Sequence, residues 1–291
     1  MKIALVRCSV EEYYSGEGIA DEDSVLLAAL LGKGLDVEPA VWNDASVDWT
    51  RYDLAILKSP WGYDDHIEEF YAWLDTLESL GVRVLNPANT VRWNSNKRYL
   101  RDIAEAGLPV VPTEYLAHGT HADLAPYFER FRAEKLVVKP CVSASAKNTV
   151  VVSRDTLRES EQSIDRLLMD AEYLVQPFME EILEGEWSHL FFGGTYSHSL
   201  LKVPKRGDFR VQHFFGGVVL PRVANTSEVR EAAQYVERFA SDTLYARVDG
   251  VTRGGTFHLM ELELIEPYLY LDASPNACKN YCRALLQRVM E

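Results

Sequence analysis

A chain of 291 residues with 47% hydrophobic and 25% charged residues has the make-up of a soluble globular enzyme, long enough for two or three packed subdomains. Its formal charge of −14 argues against nucleic acid or an anionic membrane as the main partner, so any site for a polyanion must be locally basic. Four cysteines (Cys8, Cys141, Cys278, Cys282) are too sparse for a disulfide framework, and no nearby His or further Cys completes a zinc set; they read as reduced thiols.

The opening KIALVR reads as a strand whose apolar run ends at Arg7, not as a signal peptide. The apolar stretch VLLAALL is far shorter than a bilayer crossing, and a cytoplasmic protein is expected. DEDSVLLAALLGKG has the acidic start and glycine stop of a helix. VEPAVW and DLAILK read as strands, and VRVLNP as another. Between the last two, Ile67, Phe70, Tyr71, Leu74 and Leu77 recur at helical spacing. This alternation over residues 1–93 predicts an open, mainly parallel sheet with helices on both faces.

From about Asn94 the texture changes. SNKRYLRDIAEAG reads as a helix with Lys97 in its first turn, LPVVPTEYL as extended, and DLAPYFERFRA as a further helix. Next come two strands around a small-residue loop (EKLVVKPCVSASAKNTVVVS), a helix at 155–169 and the strand YLVQPFM, making a central unit of 94–174. Proline cannot donate to a ladder, so YLVQPFM is expected at an edge or at a crossing between subdomains. Residues 175–291 are dominated by strands (SHLFFGG, YSHSLLKVP, DFRVQHFFGGVV, and the hairpin around TRGG), covered by helices near 226–241 and 275–290. The whole is α/β followed by an α+β region with antiparallel sheet.

The hairpin RVDGVTRGGTFHLMELELIEP carries Asp249, Glu261 and Glu263. Side chains alternate along a strand, so Glu261 and Glu263 point one way and Met260, Leu262 and Leu264 the other. A three-residue loop (Arg253, Gly254, Gly255) would bring Asp249 onto the acidic face; another loop length would turn it away, and the sequence leaves both open. Converging carboxylates suit Mg²⁺ or Mn²⁺. A half-exposed hairpin with an acidic solvent face is the alternative. Lys139 closes the apolar strand KLVVKP, where a lysine either reaches the surface or meets an anion. Arg210 and Gln212 fall on one face of the strand expected at DFRVQHFFGG, for a salt bridge or for oxygen ligands. The loop 143–148 has small residues that let backbone N–H groups approach a phosphate, and freed backbone at LVQPF suits an adenine ring or a plain connector. His189 and His198 have no partners at ligand spacing and read as core or surface histidines.

In chain order the set is Lys97, Lys139 with its small-residue loop, a Gln-Pro-Phe crossing, Arg210, then Asp249 and Glu261-x-Glu263. This order and spacing resembles the ATP-grasp superfamily over nearly the whole chain, most closely its prokaryotic glutathione synthetase-like branch. The resemblance implies an ATP-grasp fold with an N-terminal Rossmann-like pre-ATP-grasp domain. It implies that Lys97 and Lys139 hold the ATP phosphates beneath a lid carrying Ser143, Ser145 and Lys147. Gln176, Pro177 and Phe178 would meet adenine, and Glu186 the ribose. Asp249, Glu261 and Glu263 would ligate two Mg²⁺ ions, with Arg210, Lys202 and Gln212 at the transferring phosphoryl group. Two departures stand out: the lid lacks its usual glycines, and Glu263 replaces an asparagine.

The activity implied is ATP-dependent carboxylate–amine ligation through an acyl phosphate, which needs positioning and charge neutralisation more than a protein nucleophile. LNPANTVRWNSNKRYL, YARVDGV and MELELIEP are further similar to the cycloserine-forming cyclo-ligases, which act on O-ureido-serine and close a ring within one amino-acid-like molecule. An intermolecular peptide or glutathione synthetase-like ligase and a non-catalytic ATP-sensing module are the alternatives. Substrate should sit at the carboxyl ends of the N-terminal strands, where Arg7 is placed for a carboxylate and Trp61, Tyr63 and Asp64 for a pocket, or where all four simply pack on their neighbours. The sequence leaves a homodimer open.

Overall fold

The structure, a computed structural model, describes residues 1–9, 21–144, 146–211 and 215–290. The N-terminal region alternates as expected: β1 (Lys2–Arg7), α1 (Glu22–Leu31), β2 (Asp36–Val41), β3 (Leu54–Ser59), α2 (Ile67–Leu80) and β4 (Arg83–Leu85). Its strands form a parallel sheet in the order β2-β1-β3-β4. Asp21 caps α1 by accepting from the Ser24 N–H at 3.0 Å. Gly81, at φ 73°, ends α2 in the left-handed conformation that glycine adopts without strain. One face of the sheet packs Ile3, Leu5 and Ile56 on Leu26 and Leu30 of α1; the other packs Ala4, Val6 and Leu57 on Phe70, Leu74 and Leu77 of α2.

A short helix the sequence pattern did not show, α3 (Ala88–Asn94), follows β4, and α4 (Tyr99–Glu105) follows it. Lys97 therefore lies in the turn between two helices and not in a first helical turn. A second sheet, antiparallel, has the order β5-β8-β6-β7 from β5 (Glu114–Leu116), β6 (Lys135–Pro140), β7 (Val150–Ser153) and β8 (Tyr173–Pro177). The helices α5 (Ala125–Phe131) and α6 (Leu157–Leu168) pack on it through Phe128, Ile164 and Leu168. The strand holding Pro177 is thus interior and not an edge: proline is its last residue, paired with Leu136, where the missing N–H interrupts nothing.

The third sheet, also antiparallel, runs β11-β10-β9-β12-β13 from β9 (Glu186–Phe192), β10 (Thr195–Val203), β11 (Val218–Pro221), β12 (Tyr245–Arg253) and β13 (Thr256–Glu263). It is covered by α7 (Thr226–Phe239) and α8 (Ala277–Met290). Of the strand expected at DFRVQHFFGGVV, 212–214 lie outside the described residues, only Val218 and Val219 fall in β11, and Arg210 sits on irregular chain. Asn86 ties the first sheet to the third: its amide donates to the Tyr245 and Leu264 carbonyls at 2.9 and 2.8 Å and accepts from the Leu244 N–H at 2.7 Å. No helix among the described residues is long and apolar enough to cross a membrane.

Candidate active site

The β12–β13 hairpin sets the site. Its loop is two residues, Gly254 and Gly255 at φ 59° and 84°, the positive values of a tight hairpin turn. That length alone would put Asp249 opposite Met260, off the acidic face. A bulge between Asp249 and Gly250 restores the parity: Gly250 pairs with Leu259, Asp249 with Glu261 and Arg247 with Glu263. The acidic face forms as expected, by a different geometry. The extra residue, Met260, turns with it into the cavity and does not point away. Gly250 is required here, because a Cβ would stand 2.3 Å from the His258 carbonyl oxygen.

This face looks into a cavity of about 540 Å³ between the three sheets. Its wall brings together Lys97, Lys139, Ser143, Gln176, Pro177, Phe178, Glu186, Lys202, Arg210, Asp249, Glu261 and Glu263 of the residues singled out from sequence, with Trp61 and Tyr63 from the loop after β3. At one end Phe178, Met179, Ile182, Phe209, Val211 and Met260 form an apolar cluster. Asp64 stands beside the wall and accepts from the Ala144 N–H at 3.1 Å, so the loop after β6 touches the loop after β3. Lys147 points outward to an ion pair with Asp65. Without glycines, that loop turns through Ala146 and Asn148 at φ 57° and 54°. Arg7 ends β1 outside the cavity wall, its Nε buried with no hydrogen-bond partner among the described residues. Ser145 and Gln212 lie outside the described residues.

The charges on the hairpin face, Arg247, Asp249, Glu261 and Glu263, are matched in pairs. Asp249, 2% exposed, accepts from Ser188 Oγ at 2.7 Å, from Lys202 Nζ at 2.9 Å and from the Arg247 guanidinium at 2.9 Å. Burial opposes its charge, yet Arg247 and Lys202 hold its carboxyl well below the usual range. Lys202 also pairs with Glu186, and Arg247 with Glu263. Glu261 accepts from Lys139 Nζ at 2.9 Å, with Lys97 Nζ 4.0 Å away; against burial, these two lysines bring it down to about 2. Burial pushes Glu263 up to about 7, opposed by Arg247 and reinforced by the Asp249 and Glu261 carboxylates.

Arg210 is held away from these acids. Its guanidinium is bound to Asp208 at 2.8 and 3.0 Å and lies 3.7 Å from the Phe215 ring centroid. Among the described residues no three acidic, His or Cys side chains are gathered as a ready metal cage. The donor chemistry does fit Mg²⁺: hard carboxylate oxygens of Asp249 and Glu261 face each other across the bulge, with lysine ammoniums as their present cations.

Several polar wall residues were not foreseen, Arg247, Glu266, Tyr268 and Tyr270 among them. Arg247 stands two residues before Asp249 on the same strand face, a spacing legible in RVD. Glu266, Tyr268 and Tyr270 follow β13. Behind Tyr268, Lys58 at the end of β3 is 1% exposed and lies 2.9 Å from Glu22 and 3.4 Å from Asp23.

A parallel N-terminal sheet followed by two antiparallel sheets that enclose a charged cavity is the layout of the ATP-grasp ligases. The chain superimposes on D-alanine–D-alanine ligase from Bacillus anthracis, solved with ATP, with a TM-score of 0.67 at 16% identity, covering 100% of this chain and 96% of that one. Within that superfamily the chain belongs to the D-cycloserine synthetase family. It is 30% identical over 285 residues to the cycloserine biosynthesis protein DcsG of Streptomyces lavendulae, covering 91% of this chain and 92% of the relative. The crystal structure of D-cycloserine synthetase DcsG matches with a TM-score of 0.86 at 29% identity, over 99% of this chain and 100% of that one. Residues 3–86 match the family model described as the N-terminal domain of D-cycloserine synthetase DcsG. The chain is an ATP-dependent ligase of the amide-forming, ADP-forming type.

Proposed function

We propose that this ligase closes a ring within one amino-acid-like substrate, in the manner of cycloserine formation. The observation that carries the reading is the cavity itself: an apolar end for a base, a band of lysines and acids for a triphosphate, and a third end lined by Trp61, Tyr63 and Glu266 from the substrate side. Gln176, Pro177 and Phe178, with Met260 in the same apolar end, would hold the adenine of ATP. Lys97 and Lys139 take its phosphates, Glu186 its ribose. Asp249, Glu261 and Glu263 would hold Mg²⁺ or Mn²⁺, as two ions, which supply positive charge to the phosphates. The substrate carboxylate takes the γ-phosphoryl group to give an acyl phosphate and ADP; a nitrogen of the same molecule then displaces phosphate, and with O-ureido-serine the carbamoyl group on that nitrogen must then leave by hydrolysis, as ammonia and carbon dioxide, to give the free ring. Arg210, released from Asp208, and Lys202 would neutralise the charge that builds on the phosphoryl oxygens, with the Gln212 amide as a hydrogen-bond donor to them.

In this reading residues 1–93 carry the substrate, 94–174 the lid with Ser143, Ser145 and Lys147, and 175–291 the metal face. Arg7 and Asp64 bound the substrate end. The test is to incubate the protein with ATP, Mg²⁺ and O-ureido-serine, following ADP and the cyclic product by mass spectrometry. Glu261→Gln should lower turnover by at least about 100-fold with an unchanged melting temperature. Full turnover in that variant, or no ADP with this substrate, contradicts the proposal.

A further inference from the structure

The third end of the cavity holds an acid with no ionic partner. Glu266 lines the wall three residues beyond Glu263, on the side away from Met260 and the apolar cluster. A strand advances about 3.3 Å per residue, so β13 lays out Met260 and then the acids Glu261 and Glu263 in order, and Glu266 follows three residues past its end. The cations along the strand have partners before that point: Lys139 pairs with Glu261, Lys202 and Arg247 pair with Asp249, and Lys97 donates to the Ser143 carbonyl at 2.8 Å with Glu261 4.0 Å away. Among the described residues no basic side chain lies within ion-pair distance of Glu266. Its hydrogen-bond partner is the buried Tyr63 hydroxyl, and the Glu263 and Asp64 carboxylates act on it. Burial first, then those two acids, push its carboxyl up to about 8; Lys97 opposes them from beyond ion-pair distance without cancelling them.

The backbone leading into it is fixed. The Leu264 N–H donates to Asn94 Oδ1 at 3.0 Å, and the Ile265 carbonyl accepts from the Tyr245 hydroxyl at 2.8 Å. Glu266 is therefore a positioned acceptor, not a side chain free to swing to a lysine. An amino-acid-like molecule has one charge of each sign. Its carboxylate is drawn to the lysine band, which leaves its amine at the acid.

We propose that Glu266 is the specificity residue of this site, its carboxylate receiving the α-ammonium group of the amino-acid-like substrate. This rests on the reading of the chain as a cycloserine-forming ligase, and the test separates the two. Cycloserine carries the amine on a five-membered ring, and isoxazolidin-3-one is the same ring without it. Titration calorimetry with both rings should show wild-type protein binding cycloserine roughly 10- to 100-fold more tightly, the range of one charged hydrogen bond. Glu266→Gln should bind the two rings alike, at the wild-type level for isoxazolidin-3-one. Glu266→Asp should restore part of the difference, and it carries the same comparison should the Gln variant not fold.

Undiminished discrimination in Glu266→Gln, equal binding of both rings by the wild type, or equal loss of both rings in the variant each overturns the role of Glu266 alone. No binding of either ring to the wild type overturns the functional reading, and this inference with it.

Discussion

Replacing Lys58 by Met should destabilise the fold by about 3–5 kcal/mol, the cost of removing one partner from a buried ion group. Met keeps the length and apolar stem of the side chain, so the change isolates the charge. The ammonium is 1% exposed and serves two carboxylates, Glu22 and Asp23, each 3% exposed. Neither acid can turn to water. Glu22 spends both oxygens on backbone, accepting from the Leu269 and Leu271 N–H groups at 2.8 Å each, and Asp23 accepts from Ser59 Oγ. Unfolding entropy of about 2.1 cal/mol/K per residue, over 291 residues, is roughly 0.6 kcal/mol per degree, so the melting temperature should fall by about 5–8 °C.

Urea unfolding of wild type and variant at pH 7 should show this loss. A variant within about 1 kcal/mol of wild type would refute the claim that these carboxylates depend on Lys58.

Gly250→Ala should cost at least about 1–3 kcal/mol, since the new methyl lands 2.3 Å from the His258 carbonyl oxygen and 2.6 Å from the Phe257 ring. Activity should fall further than stability, because relieving the clash shifts the bulge that aligns Asp249 with Glu261; turnover measured well below the melting temperature checks this. His189 is fully buried, its Nδ1 2.7 Å from Ser199 Oγ and its Nε2 without a partner, and burial pushes its pKa down to about 4. The unfolded state, titrating near 6.5, binds more protons between those values, so the neutral histidine's contribution is fully present above 6.5 and lost as pH falls towards 4. This is worth about 3 kcal/mol in all, and urea unfolding of His189→Gln should show a flatter acid limb than wild type.

Local pattern carried much of the fold. A 3.6-residue period marks α2, a short continuous apolar run marks β3, and capping chemistry marks both ends of α1, because these signals arise within a few residues. The failures are equally physical. Pro177 suggested an edge, but a proline at the last position of β8 costs no ladder bond, so its strand can be interior. The stretch around Arg210 alternates like a strand, yet the chain there folds back on itself. Asp208 binds the Phe209 N–H, the Arg210 N–H and the Arg210 guanidinium, and these bonds replace a neighbouring strand.

At the site, residue type was legible and partnership was not. Lys58 stood in plain view at the end of an apolar strand, but its acids lie 36 and 35 positions away, and only packing brings them to it. Glu266 reads as any acid after a strand until Tyr63 and Asp64 arrive from the first sheet. The hairpin makes the deeper point. A strand has two faces, so placing Asp249 with Glu261 required only that the register be right modulo two. The two-residue turn breaks that parity, and the bulge at Gly250 restores it. Two departures from the simplest hairpin cancel, and the carboxylates meet. The one residue that records the difference is Met260, turned from the core side to the cavity, where it completes the apolar end. The bulge therefore serves both ends of the cavity at once: without it Asp249 would leave the acidic face and Met260 would leave the apolar one.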